Sequence, residues 1–303
     1  MSQTARVRAG RRTIEITHAD RVMFPGAGLT KLDLARYYAR VADAMVPHTR
    51  GRPVTMQTFP AGAGAKGYVI KQAPGHFPAW VPRARMRKKG GSVDHVLIDD
   101  AGTLVYLAGQ NVITPHVWPA RADRPDRPDR LIFDLDPPEA MAFSQVRAVA
   151  RALGDALRDL GLEPFAMTTG SRGLHVVAPV RRTAGWGQAR AFARALANRL
   201  VGESRSTLTT ARYRSQRRGR LFLDTGRTTY AHHAAAPYSV RPRPNAAVAV
   251  PLRWEEVDDP RLEPQGWTIE TLPGRLQSEG DPWRGIGRRA RSLERAAQRL
   301  DQW

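Results

Sequence analysis

The chain of 303 residues contains no cysteine. That absence excludes a disulfide scaffold, cysteine-ligated zinc, iron–sulfur centres and thiol catalysis. Apolar runs are short, and none approaches the ~18 residues that cross a bilayer. The first residues, MSQTARVRAGRRTIEI, are basic but are not followed by the apolar core of a secretory signal. Together these point to a cytoplasmic protein without a membrane partner. Acidic residues are also scarce, with 28 Asp+Glu against 48 Lys+Arg and a formal net charge of +20. Such a surface attracts polyanions, whether nucleic acid, anionic membrane or acidic protein, although arginines left on solvated faces would give the same excess. The excess is clustered: Arg83, Arg85, Arg87, Lys88 and Lys89; Arg212, Arg214, Arg217, Arg218 and Arg220; and a tail with Arg284, Arg288, Arg289, Arg291, Arg295 and Arg299.

The pattern of elements predicts an α+β fold with mixed β-sheets flanked by helices. Residues 30–45 read as an amphipathic helix capped by Thr30. Strands are expected at Thr55–Phe59 and Tyr68–Lys71, and Ser92–Ile98 with Thr103–Leu107 reads as a hairpin turning at Asp99–Gly102. Residues 119–130 (PARADRPDRPDR) read as a polar connector resembling an interdomain linker. A strong strand follows at Leu131–Asp136, stopped by Pro137-Pro138. Ser144 is the expected cap of a helix over 145–160, ended by Gly161. Phe165–Thr169 and Leu174–Val180 flank a tight Gly-rich turn, a helix covers 186–201, and Leu221–Asp224 is a second apolar strand ending in a carboxylate. Residues 237–251 read as extended loop or edge strand. The expected division is one domain over 1–285 and a basic amphipathic helix or tail over 286–303.

Chemistry concentrates in three places. In Asp134-Leu135-Asp136, alternation along a strand puts both carboxylates on one face. Two adjacent carboxylates repel unless a cation sits between them, and Mg²⁺ or Mn²⁺ suits hard oxygen donors. A bare D-x-D is equally a capping pattern, but the buried Leu-Ile-Phe before it favours the metal reading. Asp224 is the candidate third ligand of a two-metal site. Thr168-Thr169-Gly170-Ser171-Arg172-Gly173-Leu174-His175 offers glycines, hydroxyls and a cation to phosphate oxygens, although a plain hairpin turn would use the same glycines. It is not a Walker loop.

This constellation resembles the archaeo-eukaryotic primase superfamily and, within it, the polymerase domains of bacterial ATP-dependent DNA ligase D. The likeness runs from Ala19-Asp20-Arg21-Val22-Met23-Phe24-Pro25 and Leu29-Thr30-Lys31 through Gly51–Thr55, His116-Val117-Trp118 and Ala122–Pro138 to Ala236–Pro244 and Pro251–Trp254. It implies a primase-like catalytic core and template-directed nucleotidyl transfer in nonhomologous end joining: gap filling and end processing with two Mn²⁺ or Mg²⁺ ions, NTP or dNTP substrates and ribonucleotides favoured. The implied metal ligands are Asp134, Asp136 and Asp224. The implied nucleotide contacts are His116, Thr169, Ser171, Arg172, His175 and Arg241. The implied DNA contacts are Arg21, Lys31, Tyr68, Lys71 and Arg217, with Lys31 on the 5′-phosphate across a gap. Implied partners are gapped or broken DNA, a Ku-like end-binding protein and a separate ATP-dependent ligase, since no K-x-D-G ligase motif or nuclease module is present. The resemblance also implies a nucleoid address.

Several positions depart from that family. Thr169 stands for Ser and Arg172 for Lys. Met56-Gln57-Thr58 replaces a basic stretch, and Tyr68-Val69 replaces a paired aromatic platform. Thr225-Gly226-Arg227-Thr228 replaces an aromatic-x-Gln-Asn segment, and His232 stands for Lys. These departures leave a catalytically weakened DNA-end-binding or scaffolding paralogue as the alternative. A haloacid-dehalogenase-type phosphatase, whose nucleophile strand Leu131–Asp136 imitates, is disfavoured because Pro137-Pro138 does not supply the turn that family carries.

Overall fold

A computed structural model describes residues 3–303. They divide into two compact units. One holds the described residues through Asp123 together with His233–Val250 and Trp267–Asp281, and the other holds Arg124–His232, Pro251–Gly266 and Pro282–Trp303. The boundary between Asp123 and Arg124 lies inside the polar connector at 119–130. The fold is mixed α+β, as the element pattern predicts.

In the first unit, the helix Lys31–Thr49 starts at a reciprocal cap. The Asp33 amide donates to the Thr30 hydroxyl, and the Thr30 amide donates to the Asp33 carboxylate. Its buried face carries Leu34, Tyr37, Tyr38, Val41 and Met45. A four-stranded sheet runs in the order Ala234–Ala235, Val112–Val117, Val54–Thr58, Tyr68–Ile70, all neighbours antiparallel. The Tyr38 hydroxyl ties helix to sheet by donating to the Ile113 carbonyl. An N-terminal hairpin, Ala5–Ala9 with Arg12–Ile16, buries Val7, Ala9, Ile14 and Ile16 on one face.

Two expectations fail in this unit. Residues 103–107 are not the second arm of a hairpin. Ala101–Gly109 is a helix whose N-cap Asp100 accepts from the Thr103 amide. The Asp99-Asp100-Ala101-Gly102 tract that reads as a turn is thus a cap, because Asp serves both. The true partner of Gly91–Val96 is Arg83–Lys88, a run the sequence presents only as a basic cluster.

The second unit is built on a six-stranded sheet ordered Leu208–Thr209, Leu221–Asp224, Arg130–Asp136, Leu174–Pro179, Phe165–Thr168, Pro251–Leu252. Only the first pair is parallel. Leu131, Phe133, Leu135, Leu174, Val176 and Leu223 are buried in it. The helix after the central strand spans Phe143–Asp159, and its N-cap is Ala142, with no side-chain cap bond, rather than Ser144. Gly161 closes it in the left-handed region at φ +79°. The C-terminal stretch belongs to this unit. Arg291 bridges Val180, the Trp283 indole donates to the Ala166 carbonyl, and the expected tail helix is a short 3₁₀ turn at Ile286–Arg289 followed by Leu293–Gln302. Among the described residues, no helix is long and apolar enough to cross a membrane.

Candidate active site

Asp134 and Asp136 close the central strand of the second unit, where buried Leu131, Phe133 and Leu135 hold the backbone in register. Being two residues apart, they leave the same face. The antiparallel neighbour Leu221–Asp224 sets Asp224 directly opposite Asp134. On the other side, Leu174–Pro179 sets His175 directly opposite the same residue. Opposed residues share a face, so Asp224, Asp134 and His175 form one row across three strands, with Asp136 beside it.

Four cationic or hydrogen-bonding side chains answer these carboxylates. Arg217 donates to Asp136 at 2.8 Å, and Arg172 stands 3.9 Å from its other oxygen. Arg227 donates to Asp134 at 3.2 Å, and the His175 Nε2 lies 3.5 Å from the second oxygen of that carboxylate. Asp224 accepts from the Gly226 amide at 2.7 Å. Burial pushes the Asp134 carboxyl up, but His175 and then Arg227 outweigh it and hold it at about 2, so it is ionised. Arg217 is fixed more tightly than a surface arginine. It also donates to the carbonyls of Ala211 and Arg212 and lies over the Phe222 ring at 4.1 Å.

Hard oxygen donors, two of them opposed across a strand pair and the third two residues along, are what a divalent cation requires. Among the described residues, however, no three His, Asp or Glu side chains are grouped so as to hold one ion. The donor chemistry fits a metal; the charge balance is presently met by Arg217 and Arg227.

The Gly-rich turn, read in the sequence as a phosphate cradle, is held closed by its own side chain. The Thr169 hydroxyl both donates to the Gly173 carbonyl and accepts its amide, so it closes the turn. Gly173 is required by packing, since a Cβ there would fall 1.9 Å from the Leu135 carbonyl oxygen on the central strand. The turn is thereby pressed against the carboxylate strand. The Ser171 carbonyl accepts from Gln265, and Arg172 is the turn's contribution to the charged row.

The remaining candidates lie in the first unit. The antiparallel pair Val22–Phe24 and Leu29–Thr30 brings Arg21 and Lys31 together, and the Lys31 amide donates to the Arg21 carbonyl. Lys31 is 3% exposed. Burial, and then the charge of Arg21, push its ammonium below the usual range. Tyr68 and Val69 are exposed on the edge strand, and Lys71 follows them in the open. Arg241 follows the Val240–Val248 bridge, with its amide donating to Ala247. His116, on Val112–Val117, stands opposite Thr55 and Ala235.

Two partners were not identifiable as such from sequence. Arg227 is visible there only as a departure from a family pattern, and His233, whose Nδ1 lies 3.2 Å from that of His116, carries no signal at all. Of the basic clusters, Arg217 and Arg220 are largely engaged with the protein itself, Arg220 donating to the carbonyls of Arg217, Arg205 and Gln216.

Comparison with known proteins agrees with this architecture. The family model "LigD, primase-polymerase domain" matches residues 30–283. The multifunctional non-homologous end joining DNA repair protein LigD of Mycobacterium tuberculosis is 34% identical over 281 residues, covering 90% of this chain and 37% of that protein. LigD of Pseudomonas aeruginosa is 31% identical over 281 residues, covering 91% and 33%. This chain therefore spans about a third of the length of these relatives. A solved structure, the polymerase domain of Mycobacterium tuberculosis ligase D in complex with DNA, superposes with a TM-score of 0.86 at 34% identity, covering 91% of this chain and 99% of that one.

Proposed function

The chain belongs to the LigD primase–polymerase family, and from that premise we propose that it is a nucleotidyltransferase that extends DNA ends and fills gaps in bacterial nonhomologous end joining. The observation that carries this reading is the placement of Asp224 opposite Asp134, with Asp136 on the same face. A third carboxylate far from the first two would have left a capped strand end and no site.

Asp134, Asp136 and Asp224 would hold two Mn²⁺ or Mg²⁺ ions, which when bound lower the pKa of a primer 3′-hydroxyl and offset charge on the leaving pyrophosphate. The Asp134 carboxyl is ready in the ionised form at neutral pH, since despite its burial His175 and Arg227 hold it at about 2. Arg172 and His175 flank them and would offset charge on the β- and γ-phosphates. Arg217 and Arg227 would exchange their carboxylate partners for nucleic-acid or nucleotide phosphates as the site loads. His116 and Arg241 would contact the incoming nucleotide. Arg21 and Lys31 form a paired positive site suited to a 5′-phosphate, and Tyr68 offers a stacking face to a template base. Ribonucleotides would be favoured, a Ku-like protein and a separate ligase would act on the same ends, and the work would be done at the nucleoid.

The test is incorporation of labelled ribo- and deoxyribonucleotides on a gapped, 5′-phosphorylated duplex with Mn²⁺. Template-directed extension is expected. Retained DNA binding without incorporation would replace this reading with that of an end-binding scaffold.

A further inference from the structure

His116 and His233 meet in the first unit with their Nδ1 atoms 3.2 Å apart, ring centroids 5.1 Å apart and planes at 86°. Two nitrogens at that separation share one proton. Two N–H groups would repel, and so would two bare lone pairs. A neutral imidazole carries a single N–H, so the ring that donates from Nδ1 has a bare Nε2, and the ring that accepts at Nδ1 keeps its proton on Nε2. When both rings are neutral, the two histidines are therefore opposite tautomers.

The direction follows from what His116 must do, and here the inference rests on the reading of His116 as a nucleotide contact. An anionic phosphate oxygen calls for a donor, hence Nε2–H on His116 and Nδ1–H on His233. The same sheet face supports a ligand-facing role. Thr55, directly opposite His116, is 1% exposed, and its hydroxyl makes no hydrogen bond among the described residues. Gln57, two residues along on that face, likewise leaves its side-chain oxygen without a hydrogen-bond partner there. Polar atoms buried without partners are uncommon in folded proteins unless something else satisfies them.

We propose that His233 is a positioning residue: it donates from Nδ1 to the Nδ1 of His116, fixing that ring's orientation and its Nε2–H tautomer toward the nucleotide. Free neutral histidine prefers Nε2–H, so the Nδ1–H form of His233 is the distinctive mark.

Long-range ¹H–¹⁵N spectra of the full chain, taken at about pH 8 where an ordinary imidazole near 6.5 is neutral, read the tautomers directly. The expected result is Nδ1–H on His233 and Nε2–H on His116, with His233 reverting mainly to Nε2–H in the H116A variant. In gap filling, H233A should raise the nucleotide KM about fivefold, the worth of one neutral hydrogen bond, with kcat little changed. H233N, whose amide N–H falls where the imidazole N–H was, should restore it. Both rings in the Nε2–H form would overturn the proposal. If H116A raises KM while H233A does not, or H233N fails to restore it, the positioning role alone falls. If H116A leaves KM unchanged, the nucleotide reading of His116 falls and takes the proposal with it.

Discussion

Asp224 stands directly opposite Asp134 on adjoining antiparallel strands, although 90 positions separate them in the chain. That one register relation puts the two carboxylates side by side on one face of the sheet. Leu135 opposite Leu223 in the next position buries its side chain on the other face and locks the alignment. A slip by one residue would turn Asp224 into the core.

Asp134→Ala or Asp136→Ala should abolish nucleotide incorporation, by at least about a thousandfold if each removes several kcal/mol of metal-mediated stabilisation. DNA affinity should stay nearly intact, because an ionised carboxylate has no proton to donate to a phosphate oxygen. Primer extension and a filter-binding titration on the same preparation check both halves; a double variant that still extends primers would refute the assignment.

Lys31→Ala addresses the paired charges. An ammonium whose charge is disfavoured by burial and by Arg21 gains when an anion arrives. Loss of a charge-assisted bond should reduce the preference for a 5′-phosphorylated over an unphosphorylated gap by about tenfold, with extension of a simple primer less affected. Equal loss on both gaps would argue against a phosphate grip.

Arg227 donates to Asp134, so on the proposed function it would compete with a bound cation for that carboxylate. Its side chain is 37% exposed, so the pair is screened and worth at most about 1 kcal/mol. Arg227→Gln should therefore tighten Mn²⁺ binding about two- to fivefold, read by electron paramagnetic resonance titration of free Mn²⁺. Weaker binding in the variant would show that Arg227 supports the ion site rather than opposing it.

The depressed Asp134 carboxyl has a consequence for stability. Its value is about 2 in the fold against an ordinary 3.8. A depressed carboxyl stabilises the fold above its ordinary value, and that contribution is lost as pH falls toward the depressed one. In metal-free protein, wild type should lose about 1 kcal/mol more than Asp134→Asn between about pH 6 and pH 3. Denaturant midpoints at the two pH values measure it; parallel losses would contradict the ion pairing.

The strand at Leu131–Asp136, the hairpin around Gly170–Gly173 and the strand ending at Asp224 were legible because buried apolar runs and glycine turns are local signals. Their pairing was not, since register is set by contacts between segments far apart in the chain. The helix at Ala101–Gly109 looks like a hairpin arm in the sequence because Asp caps and turns are alike over four residues. Thr169 shows the same limit at the site: a hydroxyl suited to phosphate is taken by the Gly173 backbone, which only the folded turn reveals. Arg217 stands out in the sequence only through the family resemblance, and its bond to Asp136 and its place over Phe222 are visible only in the fold.

The most direct test of the account is an anomalous difference map at the manganese edge from crystals grown with nucleoside triphosphate and soaked in Mn²⁺. The account predicts peaks coordinated by Asp134, Asp136 and Asp224, with Arg217 and Arg227 withdrawn from those carboxylates. Manganese bound elsewhere, with both arginines still on Asp134 and Asp136 while triphosphate is present, would contradict it.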